Sequence, residues 1–253
     1  MAAEPSSNRN DRVNPSTRAL GAVLALTLAA CSQPSQESAS DREFGQRVRA
    51  YLLAHPEVLE EATQALQVKR QKEQMAAAKA AITKYRDQVE RDPRDFVANP
   101  NGRITVTEFY DYNCGYCKLV APEMVALIRE NPDVRFVFKE FVIFGPLSDR
   151  AAHAALLSKK NGRYVQVHSA LMAEKPLTEA AIDRILRQNG LDPALLNDAR
   201  ALQPHLKHVA DTGALAQRLG LEGTPAFIVG ETLIPGADVP ALKAAIAAAK
   251  RGS

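Results

Sequence analysis

The feature that most constrains this chain is C-G-Y-C at residues 114–117. It stands just after the apolar run I-T-V-T-E-F-Y (Ile104–Tyr110) and opens a helical stretch reaching about Glu130. Residues three apart on a helix share a face, so Cys114 and Cys117 can come within disulfide reach once a helix starts between them. The first thiol then sits at the helix N-terminus, where unpaired amide N–H groups and the macrodipole favour thiolate. Cys114 is therefore the expected exposed nucleophile and Cys117 the shielded resolving thiol, with Gly115 and Tyr116 between them tuning the redox poise. A zinc site would need two further Cys or His ligands at matching spacing, and only Cys31 remains among the thiols. No metal and no cofactor is expected, although capture of copper or zinc by the reduced pair stays open as a side activity.

The flanking pattern sets the fold class as α/β. Phe96–Ala98 and Ile104–Tyr110 read as strands around the turn signal N-P-N-G (Asn99–Gly102), with Ile104, Val106 and Phe109 taken as the alternating apolar positions. The next strand spans Val134–Phe144 and completes a β-α-β unit, which implies parallel pairing. Residues 148–218 carry no strand signal and break at Asn161-Gly162, Lys175-Pro176 and Asn189-Gly190, as an all-helical block should. A hairpin, Ala226–Val229 and Thr232–Ile234, precedes a last helix over Val239–Arg251. Glu140 reads as a partly exposed strand-end residue, although a buried carboxylate near the thiols could shuttle protons. His205 and His208 read as surface residues of a helix, without a role.

Upstream of this body the character changes. Ala19–Ala30 is an apolar run preceded by Arg9, Arg12 and Arg18, too short to span a bilayer and suited to the core of a signal peptide over residues 1–30. Residues 31–42 are polar, as a tether should be. Residues 43–91 show helical stripes: Phe44, Val48, Tyr51 and Leu52, then a weak heptad of Val68, Met75, Ile82 and Val89 with Ala78 and Tyr85 between. Helices of this kind must cover their stripes on copies of themselves or on the next domain, and self-association is the simpler solution; a solvated connector remains open for residues 67–91. The 32 basic and 29 acidic residues leave a charge of +3 with no basic block interleaved with aromatics, so nucleic acid is not an expected partner.

F-Y-D-Y-N-C-G-Y-C-K-L-V-A-P (109–122) resembles the active-site segment of thioredoxin-fold proteins, including Pro122 after the second cysteine. G-T-P-A-F (223–227) resembles the loop with a cis-proline that faces the cysteines in that fold. The resemblance implies a cis Pro225 and a Thr224 backbone that pairs with an extended substrate strand. The helical insertion resembles the Dsb oxidoreductases of the bacterial periplasm over residues 94–250. C-G-Y-C is similar to disulfide isomerases such as DsbC, and Y-L-L-A-H-P-E-V-L-E-E-A (51–62) resembles the oligomerisation region of ScsC-like proteins. Val142 departs from the proline that many relatives carry there. L-A-A-C (28–31) resembles a lipobox, which implies lipidation of Cys31.

The expected protein is thus a thioredoxin fold with a helical insertion over residues 92–253, preceded by a helical oligomerisation segment over 43–91. The resemblance implies a periplasmic, lipid-anchored disulfide isomerase or reductase. It would form a homo-oligomer, act on misfolded or oxidised secreted proteins and be kept reduced by a membrane thiol reductase. A dithiol oxidase and a non-enzymatic copper-binding or holdase protein are the alternatives.

Overall fold

A computed structural model describes residues 39–252. Cys31, the signal peptide and most of the tether lie outside the described residues. The chain divides into two compact units, one ending at Leu59 and the other starting at Glu60. The first holds α1 (Ala39–Ala54) and the start of α2 (Glu57–Lys84); Pro56 stands immediately before α2, where a fixed φ suits helix entry. In α1 the apolar residues Phe44, Val48 and Tyr51 are exposed.

In the second unit α2 continues to Lys84 and is followed by α3 (Arg86–Glu90), β1 (Phe96–Ala98), β2 (Ile104–Tyr110), α4 (Gly115–Glu130) and β3 (Val134–Glu140). The insertion consists of α5 (Pro146–Lys159), α6 (Tyr164–Ala173), α7 (Glu179–Gln188), a 3-10 turn at Pro193–Asn197 and α8 (Ala199–Arg218). Strands β4 (Ala226–Val229) and β5 (Thr232–Pro235) and helix α9 (Val239–Arg251) close the chain. The sheet order is β1-β3-β2-β4-β5: β2 and β3 run parallel, and the other neighbours antiparallel. This is the thioredoxin arrangement with a helical insertion. Gly102 is required where the β1–β2 turn passes the start of β3, because a Cβ there would collide with the backbone of Val134 and Arg135.

Strands β2 and β3 are buried along their whole length, so both faces of the sheet are covered. Ile104, Val106, Val134, Phe136, Phe138 and Phe227 form a core with α4, α9 and the insertion. Phe109 does not continue the alternation of Ile104 and Val106. It points to the opposite face, where Phe141, Leu215, Leu219 and Ile228 meet Ile82 and Val89. The C-terminal half of the heptad stripe is therefore covered by this chain's own domain, while Val68 and Met75 on the same stripe are exposed. Self-association is not what buries residues 78–89.

Cations finish this docking. Lys139 and Arg135 donate to the carbonyls of Gln88 and Glu90 at the end of α3, and Lys159 donates to the carbonyls of Pro93, Arg94 and Asp95. Lys139 also pairs with Asp95 at 2.6 Å, both fully buried, and His208 Nε2 lies 3.3 Å from the same carboxylate. His208 is thus a core residue rather than a surface one, because α8 turns it under the α3–β1 connection; His205 is partly buried.

Candidate active site

Cys114 is the N-cap of α4, with extended backbone angles, and its Sγ accepts the backbone N–H of Cys117 at 3.2 Å. The helix starts here because Asp111 organises the approach: its carboxylate accepts from the N–H groups of Asn113, Ile143 and Phe144 and from the Ser148 hydroxyl. The same bonds end β3 at Glu140. Phe141 still bonds the Tyr110 carbonyl, but Ile143 and Phe144, expected to extend the strand, are turned onto the loop that carries the cysteines.

Both cysteines are free thiols. Cys117 is fully buried, and Cys114, expected to be exposed, retains only 3% exposure. Its Sγ donates to the carbonyl of Thr224 at 3.2 Å, and this contact with the loop before β4 is what shields it. The Thr224–Pro225 bond is cis, as is Lys175–Pro176, which the sequence did not suggest. Gly115 has open space where a Cβ would stand, and Tyr116 is 68% exposed at the rim.

Hydrogen bonding and burial drive the acidities of the two thiols apart. The hydrogen bond from the Cys117 thiol, aided by the amides of Cys117 and Tyr116 and opposed by burial, brings the Cys114 thiol down to about 6. Thr224 acts in both directions: its carbonyl accepts from the thiol, while its otherwise unpartnered hydroxyl favours the thiolate. Burial, then the bond to Cys114, drives Cys117 far above the ordinary thiol range. The arrangement therefore holds a thiolate on Cys114 beside a protonated Cys117.

Sequence reasoning missed Glu108. It shares the α4 face of β2 with Val106 and Tyr110, is 3% exposed, and leaves one carboxylate oxygen without a partner. Burial, and then the facing charge of Cys114, raises its carboxyl to about 8. The available signal was an acid at the centre of an apolar strand just before the cysteine loop.

Glu140 is fully buried rather than a partly exposed strand end, because α6 lies over it. Its Oε1 accepts from the hydroxyls of Tyr110 at 2.6 Å, Tyr164 at 2.8 Å and Tyr112 at 3.4 Å. Tyr112 in turn lies 3.0 Å from His168 Nδ1, and burial lowers that imidazole to about 3. This network anchors the residue two positions before Cys114 to the insertion. Among the described residues no three His, Cys, Asp or Glu side chains converge as a metal site.

A thiolate at a helix N-terminus, a buried partner thiol and a cis-proline loop on one sheet define a thiol-disulfide oxidoreductase of the thioredoxin fold. The chain belongs to the DSBA-like thioredoxin domain family, which matches residues 105–247, and residues 42–73 match the Copper resistance protein ScsC N-terminal domain. It is similar to Salmonella enterica Typhimurium BcfH, at 32% identity and TM-score 0.72 over 83% of this chain and 96% of that one. A linker-deletion variant of Proteus mirabilis ScsC is 27% identical, with TM-score 0.65 over 88% and 100% of the two chains. A thioredoxin-like oxidoreductase from Silicibacter pomeroyi is 39% identical, with TM-score 0.62 over 66% and 99%. Among curated proteins it matches Na(+)/H(+) antiporter NhaA 3 of Salinispora tropica, 28% identical over 62% of this chain. The chain spans about a quarter of the length of the curated relatives it matches. No helix among the described residues is long and apolar enough to cross a membrane.

Proposed function

We propose that the protein is an envelope disulfide isomerase and reductase whose nucleophile is Cys114. The observation that carries the chemistry is the Cys114 sulfur, which meets the Cys117 amide and the Thr224 carbonyl at 3.2 Å each, beside a buried Cys117 thiol. The Cys114 thiolate attacks one sulfur of a client disulfide: the client S–S bond breaks, a Cys114–client bond forms, and the other client sulfur leaves as thiolate. Thr224 and Pro225 hold the client strand alongside.

Two exits follow. In isomerisation, the released client thiolate or another client thiol attacks the mixed disulfide, forms a new client bond and returns Cys114 as thiolate, with no net oxidation. In reduction, the ionised form of Glu108, which becomes available as pH approaches 8 and once the Cys114 charge is spent in the mixed disulfide, takes the Cys117 proton, and Cys117 attacks the Cys114 sulfur. The client then leaves reduced by two electrons, and Cys114–Cys117 becomes a disulfide that a membrane thiol reductase must restore. Gly115 and Tyr116 set the balance between these states.

The isomerase preference is supported by the ScsC N-terminal match and by the exposed apolar residues Phe44, Val48, Tyr51 and Val68, which suit association with further copies. Copies joined at a hub present several thiolates to one client. In this reading the protein works in the periplasm, anchored through lipid on Cys31, which the lipobox-like L-A-A-C at residues 28–31 supports. One observation favours a dithiol oxidase instead: a Cys114 thiol lowered to about 6 stabilises the reduced pair and so makes the disulfide more oxidising. Refolding of a scrambled-disulfide substrate decides between them. An isomerase restores activity starting from the reduced protein, whereas an oxidase acts only on a reduced substrate and only from its disulfide form.

A further inference from the structure

A groove of about 940 Å³ opens beside the cis-proline loop that contacts Cys114. It is lined by Met75 of α2, Leu221, Thr224 and Pro225 of the loop before β4, and Leu233 and Pro235 of β5. Thr224, whose carbonyl meets the Cys114 sulfur, is one of its lining residues, so the groove and the reacting sulfur share this loop. One flank is β5, a four-residue strand at the edge of the sheet, whose outer side pairs with no other strand among the described residues. The opposite flank is α2, and it is fixed: Ile82 is buried in the second core, and Glu231 at the hairpin tip binds Lys79 at 3.0 Å, the Thr83 hydroxyl at 3.1 Å and Arg86 at 3.6 Å. Met75, one heptad before Ile82, turns the same stripe toward the groove while remaining 59% exposed. The volume lies at the upper end of the roughly 300–1,000 Å³ of small-molecule sites, and a groove open along a strand edge suits a chain better than a compact ligand.

We propose that this groove is the client-reading surface, with α2 as its specificity wall: it takes an extended, apolar polypeptide segment whose cysteine bonds to Cys114, laid along β5 with its side chains on Met75 and Leu221. The proposal rests on the thiol-disulfide reading above and assigns to residues 75–86 a task in the catalytic unit rather than in association alone.

The test uses the full chain as its Cys114–Cys117 disulfide and follows exchange with reduced glutathione and with two reduced cysteine peptides of about eight residues, roughly 27 Å extended. One peptide has Leu and Val flanking its cysteine, the other Glu and Ser. The apolar peptide is expected to react fastest. Met75→Lys is expected to lower the ratio of its rate to the glutathione rate roughly tenfold, in line with losing burial of one large apolar side chain. Val165→Lys, an exposed apolar residue on α6, is expected to leave the ratio unchanged. A Met75→Lys ratio within twofold of the parent overturns the proposal, as does equal reactivity of the two peptides. An unchanged ratio accompanied by a change of mass in light scattering assigns the groove to a second copy instead and equally overturns it. Absence of exchange with glutathione in every protein removes the thiol-disulfide reading itself, a separate failure.

Discussion

The thiol of Cys114 lies 3.2 Å from the carbonyl oxygen of Thr224, a residue 110 positions further along the chain. The two meet because β2 and β4 are antiparallel neighbours, with Phe109 opposite Ala226, so the end of one strand and the start of the other reach the same edge of the sheet. A client sulfur bound to Cys114 is thereby placed beside the loop. Cys117→Ser should leave this first attack intact and remove the second, so that mixed disulfides accumulate and are seen as adducts on non-reducing gels. Cys114→Ser should form none. A Cys117→Ser protein that reduces substrate over many turnovers would contradict the resolving role.

The split between the thiols predicts a simple titration. Alkylation of the reduced protein by iodoacetamide should modify Cys114 alone, with a rate that rises through a midpoint near 6 and is flat above pH 8. Cys117 should react only after unfolding. A midpoint in the ordinary thiol range would remove the basis for calling Cys114 the nucleophile.

Glu108 carries a stability signature. Its folded carboxyl is raised from 4.5 to about 8, so between those values the folded state holds a proton that the unfolded state has released. Stability from this group is full below about pH 4.5 and is lost as pH rises through 8. Glu108→Gln should therefore gain on the parent, by a few kcal/mol, as pH climbs across that window. Resolution of the mixed disulfide should slow in the same variant near and above pH 8, where the parent's Glu108 is ionised and able to accept the Cys117 proton. Parallel stability-versus-pH curves from denaturation of the two proteins would refute the burial argument.

The Lys139–Asp95 pair is buried completely at 2.6 Å. Removing one charge strands the other, so Asp95→Asn and Lys139→Met should each cost about 3–5 kcal/mol, with the double variant costing less than the sum. Urea unfolding of the three variants measures this. Strict additivity would mean that the two charges act independently.

Much of the fold was legible because its signals are local. The hairpin and the last helix fall where Gly230-Glu231 and the Ala-rich run place them, and the breaks in the insertion fall at Asn161-Gly162 and Asn189-Gly190. What escaped depends on long-range burial. Glu140, His208 and Glu108 look like ordinary strand or helix polar residues until α6, the α3–β1 connection and α4, in that order, close over them. Cys114 is shielded by a residue 110 positions away, which spacing cannot reveal. Phe109 lies on the face opposite Ile104 and Val106, as a period of two requires, and a strand apolar on both sides hides that distinction in the sequence. The roles of Thr224, Gly115 and Tyr116 rest on family resemblance, and the geometry supplies their positions.

The last prediction separates the two tasks of the N-terminal segment, and the burial pattern says where to cut. A chain beginning at Asp92 loses Ile82 and Val89, which are 1% and 0% exposed, and leaves Phe109, Leu215 and Leu219 without their cover. At roughly 1.5–3 kcal/mol for each large side chain returned to water, that loss is a large part of a domain's stability. The Asp92 chain should therefore aggregate or unfold at markedly lower urea, whatever its oligomeric state. A chain beginning at Glu60 keeps α2 apart from its first three residues, α3 and both cores, and removes Phe44, Val48 and Tyr51 with the first unit. It should fold with nearly unchanged stability, exchange with glutathione like the parent, and elute at lower mass in light scattering if the first unit joins copies. Its rate on a scrambled substrate should fall while its rate on a small peptide disulfide does not. If the Glu60 chain keeps the parent's mass, association does not run through α1. If its mass falls but scrambled-substrate refolding is unchanged, the hub plays no part in isomerisation and the catalytic unit works alone.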